Sequence, residues 1–307
     1  ERTSDDDTAE LDSVAVEAFG LRFKSPVGLG AGIDTHGAAV HVMQYLGFGF
    51  LELGPATARG IEPRYAHEPQ RLEAFRSIVS SADAAAPSSA ELSQTIARAR
   101  VDVPIGVAIQ GDDLELAIEG ASAAAFITLP AEAEAELAKL RAVTKQPLLL
   151  RLPLAAADDR DNLDQLISRA ERLGIDGFVV ADGKPSALLP RGSLHGPANQ
   201  PSALQLVAAV RQRTALPIVA AGAISCPDDA AAFLAAGATL LSLYDGLVYA
   251  GPGLPGRIVE AIAKPPADPR VADTVRDGSV PVWAWRCVCF TGLVLVLSGL
   301  YALYLSA

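Results

Sequence analysis

"LPIVAAGAISCPDDAAAFLAAGATLLSLYDGLVYAGPG", residues 216–253, decides the fold. A short apolar run opened by Pro217 ends in Ala-Ala-Gly at Gly222. An alanine-rich stretch follows, and a second apolar run ends in Tyr-Asp-Gly at Gly246. Four- and five-residue apolar runs bounded by Gly or Pro suit parallel strands buried on both faces. A glycine at each strand end lets backbone N–H groups approach an anion closely. In a (β/α)8 barrel, phosphate is usually held after the last two strands.

The same unit repeats toward the N-terminus. Candidate strands cover 27–31, 49–53, 104–109, 124–128, 147–152, 177–181, 217–221 and 239–243. Helical segments between them cover 37–46, 90–100, 114–119, 131–143, 160–173, 201–213, 227–236 and 256–262. In the fifth helix Leu163, Leu166, Ile167, Ala170 and Leu173 form one apolar stripe. Eight units in about 245 residues is the size of a (β/α)8 TIM barrel. A doubly wound open sheet competes; the count of eight and the glycines ending strands seven and eight favour the barrel.

The flanks differ in character. Residues 1–13 are acidic and polar and read as a disordered tail, with the barrel domain at 14–264. Residues 265–281, "PPADPRVADTVRDGSVP", form a Pro-rich linker, and 282–307 an anchor. From Cys287 to Leu305 nineteen residues carry no charge, and as a helix they reach about 28 Å, enough for a bilayer core. Trp283 and Trp285 flank one end, Tyr301 and Tyr304 the other, as in an aromatic belt. Lys264, Arg270, Arg276 and Arg286 all precede the span. The fold expected is therefore a TIM barrel followed by a single C-terminal transmembrane helix, with the barrel on the cytoplasmic or matrix-like side. Gly292 and Gly299, with Ser298 beside them, offer a small-residue face to a neighbouring helix; such glycines are also common in membrane helices generally.

Composition excludes several functions. A net charge of −11 with pI near 4.8 supplies no basic stripe for nucleic acid. Three cysteines build no disulfide framework, and four histidines without ligand spacing argue against a metal.

Five segments in order, "FGLRFKSPVGLGAGID", "LGFGFLELGPAT", "PLLLRLPLAAADDRDNLDQLISRAERLGIDGFVVAD", "LPIVAAGAIS" and "AGATLLSLYDGLVYAGPG", carry a resemblance to the dihydroorotate dehydrogenases. The likeness is to the class 2, quinone-using form and covers residues 17–262. It implies an FMN-containing barrel that oxidises dihydroorotate to orotate and passes electrons to quinone. The flavin-site positions that it marks are Ala31, Gly32, Thr35, Thr57, Arg151, Gly196, Gly222, Tyr244, Asp245 and Gly246.

At several of these positions the chain departs from the family pattern. Thr35 stands where the family has a lysine after the aspartate of "AGxDK", although Thr57 matches the threonine of "GSVT". Residues 78–87, "IVSSADAAAP", replace "NRxGFNN", and "FITLPAEAEAEL" replaces the loop with the serine base. Arg151 replaces a lysine, and His195 a serine. Asp245 replaces a hydroxyl that should meet the flavin phosphate. Two unit charges 4 Å apart repel by about 4 kcal/mol at an effective dielectric of 20, and Asp112, Asp113 and Asp182 add charge to the same rim. Bland roles are also open, with Asp245 capping the last helix and His195 facing solvent in a loop.

The expectation is thus a catalytically inactive, tail-anchored accessory subunit without a cofactor. Its partners would be the bilayer and integral-membrane subunits of a respiratory or photosynthetic complex. The alternative is a divergent, membrane-tethered FMN oxidoreductase.

Overall fold

In the computed structural model, residues 14–62 and 67–264 are described. The acidic tail, the linker and the expected membrane helix with Gly292, Ser298 and Gly299 lie outside the described residues. Among those described, no helix is long and apolar enough to cross a membrane.

In chain order the strands are β1 (Val16–Ala18), β2 (Leu21–Phe23), β3 (Val27–Leu29), β4 (Phe50–Ala56), β5 (Gln70–Leu72), β6 (Ser77–Ser81) and β7 (Ile105–Ile109). They continue with β8 (Ile127–Leu129), β9 (Leu148–Leu152), β10 (Gly177–Ala181), β11 (Lys184–Ser186), β12 (Gly192–His195), β13 (Ile218–Ala221) and β14 (Leu240–Leu243). Eight of them, β3, β4, β7, β8, β9, β10, β13 and β14, pair in parallel and close into a barrel. All eight coincide with the apolar runs read from the sequence, within a few residues at each end.

The helices are α1 (Val40–Met43), α2 (Ser89–Arg98), α3 (Leu114–Gly120), α4 (Leu137–Val143), α5 (Arg160–Arg172), α6 (Gln200–Arg211), α7 (Pro227–Ala235), α8 (Asp245–Ala250) and α9 (Leu254–Ala263). Two expected helices are shorter than their sequence patterns. The segment 131–143 begins as a 3₁₀ turn, Ala131–Glu136, and becomes α-helical only from Leu137. Its Ala/Glu alternation offers no apolar stripe until Leu137 and Leu140, both buried, face the barrel. The segment 37–46 yields only α1 and a 3₁₀ turn, Gln44–Leu46, which the left-handed Gly47 ends; before it, Asp34 accepts from the N–H groups of Ala38 and Ala39, each at 2.8 Å.

The barrel interior is filled from its N-terminal end. The β1–β2 hairpin brings Phe23 against Phe50 and Phe126, with ring centroids 5.5 and 6.5 Å away. Leu149, Val179, Val219 and Leu240 complete this cluster. Gly28 and Gly106 make room for it: a Cβ on either would lie 2.1–2.2 Å from the rings of Phe50 and Phe126. Two residues further along the strands, on the same inward face, come Glu52, Ala108, Thr128, Arg151, Ala181, Ala221 and Ser242. The layer nearest the mouth is therefore of small or polar residues where the layer below is aromatic and aliphatic.

A second sheet has no counterpart among the strands expected from the sequence. It is antiparallel, ordered β11-β12-β6-β5, and is assembled from the loops after β4 and β10. The Tyr249 hydroxyl of α8 donates to the Ser77 carbonyl at 2.8 Å, and the Arg71 guanidinium lies 5.2 Å from the Tyr249 ring centre. These contacts bind the sheet to the C-terminal ends of the barrel strands.

Phe126→Ala should destabilise the barrel by about 3–5 kcal/mol, because both the hairpin and Phe50 lean on that ring. Urea unfolding followed by circular dichroism measures the change.

Candidate active site

The C-terminal ends of β10, β13 and β14 meet the second sheet at Asp182. This carboxylate is only 2% exposed. Its Oδ2 accepts from the Gly196 backbone N–H at 2.9 Å, and its Oδ1 lies 2.9 Å from Nδ1 of His195. Asn199 fixes the backbone around it, donating to the carbonyls of Asp182 and Leu194 at 2.7 and 2.8 Å. Gly222, at φ +84°, packs against the carboxylate so closely that a Cβ there would lie 2.2 Å from Oδ1.

His195 is neither a solvent-facing loop residue nor isolated. It ends β12, and its Nε2 lies 3.0 Å from the Ser80 hydroxyl on the neighbouring strand β6. Ser80 and His195 are diagonal neighbours on one face of an antiparallel pair, which is why two residues 115 apart in sequence meet. The aspartate can only accept, so Nδ1 carries the ring proton and Nε2 is left to accept from Ser80. Tyr244 closes the far side. Its ring meets His195 edge-on at 5.1 Å, and Gly32 (φ +100°) gives it space. Burial, with Asp182 adding to it, pushes the Tyr244 pKa up to about 12, so the phenol stays protonated and can donate.

Asp245 lies beside this group. It does not cap the last helix; it is the first residue of α8, and its Oδ1 reaches back to accept the Ala223 N–H at 2.9 Å. Its Oδ2 is buried without a hydrogen-bond partner. Burial and then the neighbouring Asp182 raise its pKa to about 7, against the opposing pull of the Ala223 N–H and His195. Gly246 is packed so tightly that a Cβ would lie 1.7 Å from the Ile224 carbonyl oxygen.

The structure thus gathers Gly32, Gly196, Gly222, Tyr244, Asp245 and Gly246 on one side of the mouth. The other expected positions are occupied separately. The Ala31 N–H faces Glu52 Oε2 at 3.4 Å, and the other oxygen of Glu52 accepts from the Thr128 hydroxyl. The Thr57 hydroxyl accepts from the Gly60 N–H at 2.8 Å in a local turn. Thr35 offers its carbonyl to the Gly54 N–H at 3.2 Å, and Arg151 stands half-buried on β9. His36 is exposed at an open cavity of about 510 Å³ beside Arg59 and Glu91. Ser80, Glu52 and Thr128 were missed by sequence reasoning, since no local pattern joins residues from β6, β4 and β8. Asp182 and His195 were noted there, but not their contact.

Comparisons with known proteins agree with one another. A dihydroorotate dehydrogenase family profile matches residues 133–265. The dihydroorotate dehydrogenase (quinone) of Mycolicibacterium gilvum is 31% identical, over 78% of this chain and 77% of its own length. That of Chromobacterium violaceum is 29% identical, covering 81% and 85%. Among solved structures, the dihydroorotate dehydrogenase of Eimeria tenella in complex with ferulenol superimposes with a TM-score of 0.69, at 18% identity, over 82% of this chain and 84% of that one.

These quinone-type relatives are FMN enzymes, which overturns the expectation of a barrel without a cofactor. That expectation rested on several departures from the family pattern taken together, whereas the kinship extends over 78% of the chain. The cofactor's class comes from the family; its phosphate end is where this chain departs. There the Ala223 N–H is already engaged by Asp245, whose second oxygen is buried unpaired, and Asp182 fills the space beside Gly222. Those residues do not fit a doubly charged phosphate.

Asp245 holds a proton in the fold that the unfolded chain releases near pH 4. Stability should therefore fall as pH rises from about 4 to about 7, by up to about 1.4 kcal/mol per pH unit. Asp245→Asn keeps the acceptor for Ala223 and should remove that slope, melting above the wild type at pH 8 and alongside it at pH 4. Thermal unfolding across this range measures both.

Proposed function

The chain belongs to the dihydroorotate dehydrogenase family, and we propose that it is a membrane-held member whose barrel serves a larger membrane assembly rather than dihydroorotate oxidation. The observation carrying this reading is the rebuilt strand-end turn at Gly222–Ala223. Two buried carboxylates, Asp182 and Asp245, stand where an anion would need backbone donors. The replacements at Thr35 and Arg151 point the same way, because both depart from lysines that the family places at its reacting centre.

The membrane part of the proposal rests on sequence. The uncharged run 287–305, its aromatic flanks and the preceding basic residues support a single span with the barrel on the cytoplasmic or matrix-like side. Gly292, Ser298 and Gly299 would let an integral-membrane subunit approach closely. The barrel's own contribution is rigidity. An aromatic plug closes one end, and the second sheet is bonded across the other.

A second reading, an enzyme with altered chemistry, is favoured by one feature, the Ser80–His195–Asp182 chain of hydrogen bonds at the mouth. A docking subunit has no need of it.

Extraction of native membranes in mild detergent should bring the chain out with stoichiometric integral-membrane partners, and Gly292→Leu with Gly299→Leu should release them. The purified protein supplied with FMN should show no dihydroorotate-dependent quinone reduction. A solitary protein, or one oxidising dihydroorotate at the rate of its relatives, would overturn the proposal.

A further inference from the structure

We propose that Ser80, His195 and Asp182 form a working nucleophilic site that transfers acyl groups from uncharged esters, an activity separate from the flavin chemistry of the family. The three residues have the connectivity that such chemistry needs. Ser80 Oγ lies 3.0 Å from His195 Nε2, and His195 Nδ1 lies 2.9 Å from Asp182 Oδ1. Each is within the reach over which a base takes a proton from a nucleophile and a carboxylate orients the base.

Burial is graded as the roles require. Asp182 is 2% exposed and held by the Gly196 N–H, so it fixes the ring without meeting solvent. Ser80 and His195 are half-buried. The site stands on paired strands β6 and β12, which hold nucleophile and base in a fixed register. Tyr244, packed edge-on against His195 with ring centres 5.1 Å apart, adds a hydroxyl that stays protonated on the same side of the mouth.

In the step proposed, Ser80 Oγ attacks the ester carbonyl carbon while His195 Nε2 takes the hydroxyl proton. The carbon–oxygen bond to the leaving alcohol breaks, and His195 returns the proton to that oxygen. Water then attacks the acyl-Ser80 carbonyl, again through His195, releasing the acid and restoring Ser80. Atoms balance with water as co-reactant, and no electrons change hands. Substrate charge is limited by the surroundings. The buried carboxylate of Asp182, which raises the pKa of both Tyr244 and Asp245, gives the mouth a negative field, so an anionic acyl group is disfavoured and a small neutral one is accepted.

The test is covalent labelling of the full-length protein in detergent with a fluorophosphonate probe, read by intact mass and peptide mapping. The expected result is one adduct, at Ser80, absent in Ser80→Ala. His195→Gln and Asp182→Asn should slow labelling by about 100-fold or more, with Tyr244→Phe slower to a smaller degree. Circular dichroism and melting confirm that each variant is folded; Ser80→Ala removes only one oxygen, and so remains informative should Asp182→Asn unfold. Hydrolysis of p-nitrophenyl acetate should follow the same order. A folded wild type that takes up no probe at Ser80, or takes it up at a rate indifferent to His195, would overturn the proposal and leave the three residues as a structural polar network. Neither result depends on membrane partners or on flavin, so the preceding proposal stands or falls separately.

Discussion

The buried carboxylate of Asp182 is the constraint from which the architecture of the mouth follows. A charge at 2% exposure has left water and must be repaid in hydrogen bonds. The Gly196 N–H and the His195 ring meet that demand, and in doing so they fasten the β11–β12 hairpin to the end of β10. The hairpin pairs with β6, so the loop after β4 is drawn over the same opening. One aspartate thereby couples segments a hundred residues apart. Its demands extend to its neighbours: Gly222 must lack a side chain, and Asp245 must carry its proton to higher pH than a free carboxyl would.

Below the mouth the constraint is volume. Phe23, Phe50 and Phe126 fill the N-terminal end of the barrel, and Gly28 and Gly106 exist in this packing as the space those rings occupy. Such close packing leaves little freedom for the strands to shift. The mouth layer can then vary its chemistry without the barrel changing shape, which is how a family frame persists while residues at its reacting end are exchanged. Glu52 and Thr128 illustrate this, since each satisfies the other across the interior.

The same logic distinguishes the two sides of the mouth. The β13–β14 side has given its backbone donor at Ala223 to Asp245. The β10 side presents an ordered serine, imidazole and carboxylate. A site that had simply decayed would lose its alignment, because unpaired buried polar groups cost stability with nothing in return. The alignment at Ser80, His195 and Asp182 is satisfied at each link, whereas Asp245 keeps one oxygen unpaired. The two carboxylates therefore differ in kind, one fully bonded and one held at a cost.

The eight barrel strands and most of their helices were legible in the sequence because they are set by local apolar runs, glycine and proline punctuation, and helical periodicity. The family likeness was legible for the same reason, since its motifs sit at strand ends. The second sheet was not. Its strands are short, half-exposed and polar, as in "KPS" and "GSLH", and they exist only because a distant loop pairs with them. Asp245 could be recognised from sequence as a charge in the wrong place, but whether it capped a helix or reached across to Ala223 depended on the turn it faces. His195 looked like a loop residue for want of a visible partner. Sequence by itself determined the barrel and its ancestry, because those depend on patterns within a few residues. The tertiary structure alone decided which polar side chains meet at the mouth, because hydrogen bonds act over about 3 Å and sequence spacing carries no record of which loops fold to within that distance.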